Sequence, residues 1–128
     1  MKTKFNFNSQ ICTTREQSER LIALGLKKET ADMYYYFYNK NTYEINPTWK
    51  TIWEDRNDYK KIIPAWSLGR LIEMMPRTAI LHTQEGDARI DIDMYAIDIL
   101  VSADSIAEAV SVIEWLIKEG NFNKKYLV

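Results

Sequence analysis

Residues 105–119 carry the strongest folding signal in the chain. Ser105 and Glu108 have the spacing of a capping box, in which two side chains satisfy backbone N–H groups at the start of a helix. Gly120 stands where a left-handed backbone conformation commonly ends one. Because an apolar stripe must be covered, the segment predicts a helix packed against the rest of the domain. The stripe consists of Ile106, Ala109, Val110, Ile113, Leu116 and Ile117.

Two further helices are indicated by their ends. The first begins at Thr13 or Thr14, each of which starts a capping-box pattern, and ends at Gly25. The second begins after Ser67, a typical N-cap residue, and ends before Pro76. Proline ends it because the residue before a proline avoids helical geometry.

Strands are predicted between the helices. The aromatic segment 33–38 suits a pleated surface, and residues 42–45 form its return strand after a turn. A second hairpin pairs residues 78–83 with residues 88–95, where apolar and charged side chains alternate. The alternation changes parity after 94, which a bulge or a separate strand over 97–101 would explain.

These elements predict a single α+β domain over residues 1–128, a length typical of one domain. We expect an antiparallel sheet of about four strands with three main helices packed on one face. Residues 46–62 fit either a helix started by Pro47 or a strand rich in Thr and Trp, so their structure stays open.

Composition and charge argue against several classes of function. Seventeen Lys and Arg against 18 Asp and Glu leave a net charge of −1, too little for non-specific nucleic-acid binding. No apolar run reaches the length of a membrane span, and no apolar segment of a secretory signal follows the N-terminus. A single cysteine, Cys12, forms no internal disulfide and fits a reducing compartment. We therefore expect a cytoplasmic protein without a membrane partner.

The near-zero net charge conceals an acidic region. Residues 85–119 contain nine acidic side chains, and only Arg89 and Lys118 oppose them. Such a surface would attract a basic protein. One hypothesis is therefore an acidic inhibitor or decoy of a basic host protein.

Candidate catalytic residues are few. Asp87, Asp91 and Asp93 offer oxygen ligands for a cation but lack the spacing of an EF-hand, and His82 has no nucleophile beside it in the sequence. Another hypothesis is a metal-dependent enzyme that uses Asp91, Asp93 and His82. The chain has no glycine-rich phosphate loop and no CxxC, HExxH or GxSxG motif. The sequence thus identifies no catalytic residue, cofactor, metal site or small-molecule substrate.

The aromatic strand is the strongest candidate for contact with a partner. Along a strand, alternate side chains point to opposite faces, so three of its tyrosines share one face. Tyrosine is enriched at protein interfaces because it combines a large contact area with a hydroxyl group. The leading hypothesis is a non-enzymatic interaction protein that self-associates through this strand or binds a protein partner. Its candidate interaction residues are Tyr34, Tyr36, Tyr38, Trp49 and Trp53.

Helix caps, apolar stripes and a Pro-aromatic-Ser helix start are distributed over residues 16–21, 24–26, 29–35, 63–71, 75–76, 109–110 and 115–116. In this order along the chain, these segments resemble small proteins encoded by bacterial prophages and integrated mobile elements. The resemblance is carried by helix caps, apolar stripes and a Pro-aromatic-Ser helix start. It implies an origin in mobile DNA and a cytoplasmic location in a bacterium, and it supplies no catalytic residues. Residues 46–62 and 88–95 are less similar to the shared pattern.

Overall fold

A computed structural model describes residues 10–48 and 62–128 of the chain. These residues form four α-helices and five β-strands, which confirms the predicted α+β class. Two 3-10 turns, Lys28–Thr30 and Lys124–Tyr126, complete the described part. In chain order the elements are α1 (Arg15–Ala23), β1 (Met33–Phe37), β2 (Tyr43–Pro47), β3 (Ile62–Ala65), α2 (Leu68–Met74), β4 (Thr78–Thr83), β5 (Gly86–Asp91), α3 (Ile92–Leu100) and α4 (Ser105–Lys118).

The five strands form two antiparallel sheets and not the single sheet of about four strands that we expected. The first sheet has the order β2-β1-β3, so the aromatic strand β1 is paired on both edges. The second is the hairpin of β4 and β5. The turn between β1 and β2 is held by Asn39, whose side-chain oxygen accepts hydrogen bonds from the N–H groups of Asn41 and Thr42.

Helix α4 lies at the centre of the main core. Five of the six residues of its predicted stripe are buried, and α1, α2 and α3 all pack against it. Arg20 of α1 forms an ion pair with Glu114 of α4. The predicted capping box at its start is wrong, because the N-cap residue is Asp104 and the Ser105 hydroxyl donates to the carbonyl of Ser102.

The ends of α1 and α2 agree with the sequence prediction. Thr14 and Gln17 form the reciprocal capping box of α1, and Gly25 follows the helix with a φ of +100°. Ser67 caps α2 by accepting a hydrogen bond from the N–H of Arg70. Local hydrogen bonding of this kind depends on only a few neighbouring residues, which is why these ends are readable from the sequence.

Both faces of β1 are covered. Tyr34 belongs to the main core, whereas Tyr35, on the opposite face, packs in a second cluster with Cys12 and Ala65. The face of β1 that carries Tyr35 is therefore buried as well as the face that carries Tyr34. Tyr35 also stacks on Phe37, with ring centroids 5.8 Å apart.

The predicted strand 88–95 is the main error in secondary structure. Strand β5 ends at Asp91, and residues 92–100 form α3 instead of a bulge followed by a strand over 97–101. The Asp91 carboxylate accepts a hydrogen bond from the N–H of Asp93, at 3.0 Å, and so caps the new helix. The buried residues of α3 are Ile92 and Ile99, which lie about two helical turns apart on the same side of the helix.

Candidate interaction surface

Helix α3 presents apolar side chains to solvent as well as to the core. Its buried side packs on α4 and β4. Met94, Ile97 and Val101 follow a spacing of three and four residues, which places them along one side of the helix. At 100° per residue, this side lies opposite the buried Ile92 and Ile99.

The exposed residues of α3 and its C-cap define what we call the α3 surface. A surface helix normally turns its apolar residues towards the core, whereas α3 also has apolar residues on its solvent side. Single exposed apolar residues are common on proteins, but five within eight consecutive positions form a patch. The exposed fractions are Met94 61%, Tyr95 47%, Ile97 58%, Leu100 60% and Val101 80%.

A groove extends the α3 surface towards the hairpin and α4. It encloses about 320 Å³ and is lined mainly by apolar and aromatic side chains. Its volume is at the lower end of the range of small-molecule sites, about 300–1,000 Å³, so it has room for a large apolar side chain. The lining residues are Leu81, Ile90, Ile92, Tyr95, Ser111, Val112 and Trp115.

Acidic side chains flank the apolar stripe of α3. Asp93 is one helical turn before Ile97, and Asp98 is one turn after Met94, so the two carboxylates lie on either side of the stripe. Both are exposed. Among the described residues neither carboxylate has an ion-pair partner.

The wider region is also acidic. From residue 90 to residue 117 the chain has six Asp and Glu and no Lys, Arg or His. Of these, Glu114 is paired with Arg20. Of the other five, Asp93 and Asp98 lie beside the apolar stripe and give the α3 surface a negative border.

The tyrosines predicted to contact a partner lie in very different environments. Tyr34 is 5% exposed and Tyr38 is 58% exposed, with Tyr36 half-buried between them. All three line one shallow cavity of about 230 Å³, together with Glu44 and Asn46 of β2. The Tyr38 hydroxyl donates to the Glu44 carboxylate, which raises the pKa of Tyr38 because the bond is made by the protonated phenol.

The tryptophans are only partly described. Trp49 and Trp53, both candidate interaction residues, lie outside the described residues. Trp66 is completely buried; its indole N–H donates to the Thr30 hydroxyl at 3.0 Å, and its backbone N–H donates to the Thr13 hydroxyl. Trp66 is therefore a core residue, held by polar partners at both its backbone and its ring.

The candidate metal ligands are separated. His82 pairs across the hairpin with Asp87, with Nδ1 2.7 Å from the carboxylate oxygen, and both side chains are exposed. Asp91 lies four residues farther along β5, about 13 Å at the rise of a strand. Within residues 10–48 and 62–128, no three His, Cys, Asp or Glu side chains are grouped to hold a metal ion.

Cys12 and Tyr35 form a buried polar pair. The Cys12 thiol lies 3.7 Å from the Tyr35 hydroxyl, which donates at 2.8 Å to the backbone carbonyl of Thr13. Burial raises the pKa of both groups above their ordinary values, because it disfavours the charged thiolate and phenolate. At neutral pH the pair is therefore uncharged and serves the packing of the second cluster.

Comparison of the chain with models of known protein families, with curated proteins and with solved structures finds no match. In the described part of the chain, the helices are too short or too polar to cross a membrane.

The sequence patterns did not predict the α3 surface, because they indicated a strand where the structure has a helix with exposed apolar side chains. In the sequence, Ile90, Ile92 and Met94 alternate with charged residues, and this pattern predicts a half-buried strand. A second pattern was present in the same segment, since Ile92, Ala96 and Ile99 have helical spacing. Read as a helix, the segment leaves Met94 outside its buried side.

Proposed function

We propose that this chain is a non-enzymatic interaction protein that binds another protein through the α3 surface. The observation that supports the proposal is the apolar outward side of α3, defined by Met94, Ile97 and Val101. The groove beside α3 adds a concave site for an anchoring side chain. Protein interfaces commonly combine such a buried anchor with a polar rim.

Burial of the exposed apolar side chains of the α3 surface would stabilise a complex. Full burial of a large apolar side chain is worth about 1.5–3 kcal/mol. Five such residues are exposed on the α3 surface. Even half-burial of each would supply several kcal/mol, which is available to offset part of the entropy that association costs.

Self-association through the tyrosine strand is the second candidate. Tyr38 and Tyr43 are exposed at one end of the first sheet, and this favours it. Because both edges of β1 are already paired, contact would involve the face of the sheet or its outer strands β2 and β3. Tyr38 would be the central residue of such a contact.

An origin in bacterial mobile DNA and a cytoplasmic location also belong to this proposal. They are supported by the sequence resemblance and by the single cysteine, Cys12, which is free and buried.

Capture of a partner from a lysate of the source organism, compared across matched variants, tests the proposal. We expect wild-type protein and Ile22→Ser, an exposed isoleucine of α1, to retain the same partner. Met94→Ser/Ile97→Ser should lose it, because the apolar stripe is removed. Capture that survives this double substitution contradicts the proposal.

A second experiment tests the second candidate, self-association through the tyrosine strand. Sedimentation of the purified protein at micromolar concentrations measures self-association directly. Loss of association on Tyr38→Ser, with no effect of Met94→Ser/Ile97→Ser, would favour the tyrosine strand over the α3 surface.

A further inference from the structure

We infer that the partner presents an amphipathic α-helix whose apolar stripe is flanked by lysine or arginine. The inference rests on the proposed function and specifies the chemistry of the partner. It follows from the shape of the α3 surface together with the charges around it.

The shape favours a helix. Met94, Ile97 and Val101 form a row at helical spacing, and such rows pack against the rows of a second helix. Recognition of a helix by an apolar groove uses side chains at i, i+3, i+4 and i+7 of the bound helix. The groove of about 320 Å³ lies on the Tyr95 side of this row and is lined by none of the three row residues, so a partner reaches it only with a side chain that extends past the row.

The charge favours a basic border on that helix. Asp93 and Asp98 lie on the two sides of the apolar row, so a bound helix would place its flanking residues near both carboxylates. Asp104 and Glu108 follow at the end of α3 and the start of α4. In the part of the chain that the structure describes, these four carboxylates have no ion-pair partner, so they are available to a partner protein.

The same charges disfavour a second copy of this chain as the occupant. In an isologous contact the same surface is present on both partners, so α3 would face α3. The carboxylates of Asp93 and Asp98 would then lie near their own copies, with no basic residue in 90–117 to separate them. Repulsion between these like charges would weaken the association of two copies.

Three synthetic peptides of about 18 residues, or five helical turns, test the inference. All three carry leucines at i, i+3, i+4 and i+7, and their flanking positions are lysine, glutamine or glutamate. We expect the lysine peptide to bind the wild-type protein tightly, the glutamine peptide at least tenfold more weakly, and the glutamate peptide not at all. Binding is measured by fluorescence anisotropy at about 50 mM and about 300 mM salt, because salt screens the exposed pairs.

Variants separate the apolar and the charged contributions. Asp93→Asn/Asp98→Asn should weaken binding of the lysine peptide about tenfold, as expected for two exposed ion pairs, and reduce the salt dependence. Met94→Ser/Ile97→Ser should weaken binding of the lysine and the glutamine peptides alike. Glu29→Gln, an exposed acid on another element, is the matched charge control and should change nothing. Circular dichroism verifies that each variant is folded.

The outcomes separate this inference from the proposed function. Equal binding of the lysine and glutamine peptides overturns the basic border and leaves the α3 surface as the binding site. Failure of all three peptides, while lysate capture still depends on Met94 and Ile97, overturns the helical partner alone. Dimerisation that is lost in Met94→Ser/Ile97→Ser overturns the inference in favour of a second copy.

Discussion

The carboxylate of Asp32 accepts hydrogen bonds from both the backbone N–H and the hydroxyl of Ser67, with the N–H donating at 2.8 Å. Asp32 immediately precedes β1, and Ser67 is the N-cap of α2. The Ser67 hydroxyl in turn accepts from the N–H of Arg70. One carboxylate therefore joins the first sheet to the start of a helix that packs on α4.

Asp32→Ala should destabilise the protein by about 1.5–3 kcal/mol, the range for hydrogen bonds to a charged group. The substitution leaves the Ser67 N–H without its acceptor at the helix start. The free energy of unfolding in urea at pH 7 measures the effect. Asp104→Ala is the matched control, because Asp104 is an N-cap whose side chain makes no capping bond. An equal loss in the two variants would contradict the role of Asp32.

Two isoleucines of α3 should respond very differently to the same substitution. Ile99 is buried, and Ile99→Ala should cost about 2–5 kcal/mol of stability. Ile97 is exposed, and Ile97→Ala should change stability by less than about 0.5 kcal/mol. Urea unfolding of both variants tests this. A large loss on Ile97→Ala would show that this side of α3 is covered by the protein's own chain.

The sequence predicts those parts of the fold that depend on neighbouring residues. The capping box of Thr14 with Gln17 and the N-cap Ser67 are local hydrogen bonds, so their residue types identify them. The buried stripe of α4 is equally local, since it follows from helical spacing.

Other features depend on contacts between distant segments. Pairing of β1 with β3 joins Met33 to Ala65, and no local pattern specifies this partner. Residues 90–99 satisfy both the strand and the helix period, and the choice depends on packing against α4. The solvent-exposed side of α3 could not be predicted either. Apolar residues lie on several sides of this helix, so the sequence does not show which side packs against α4.

Asp91 marks the change from strand to helix, and its substitution tests that boundary. Asp91→Ala removes the side-chain acceptor of the Asp93 N–H and should destabilise the protein by about 0.5–2 kcal/mol. Asp91→Asn retains an acceptor oxygen and should lose less. Urea unfolding measures both variants, and Asp87→Ala, within β5, provides a comparison on the same strand. Equal stability of Asp91→Ala and wild type would contradict the capping role.

The buried pair of Cys12 and Tyr35 predicts a loss of stability at alkaline pH. In the unfolded chain a thiol and a phenol lose their protons near their ordinary pKa values, about 8.5 and about 10. Burial raises both pKa values in the folded protein, which therefore keeps these protons to higher pH. Above the unfolded values the folded state binds more protons than the unfolded state, so stability falls as pH rises. Below about pH 8 this contribution is fully present.

Urea unfolding at about pH 7.5, 9 and 10.5 measures this dependence. We expect the wild-type free energy of unfolding to fall from about pH 7.5 to about pH 9 and again from about pH 9 to about pH 10.5. Tyr35→Phe loses the bond to the Thr13 carbonyl, so it should be less stable at pH 7.5 and should fall less steeply at alkaline pH. Tyr95→Phe, an exposed tyrosine of α3, should keep the wild-type slope. If Tyr35→Phe retains the full slope, the phenol of Tyr35 is not the group responsible, because its removal leaves only the thiol of Cys12 to titrate in the pair.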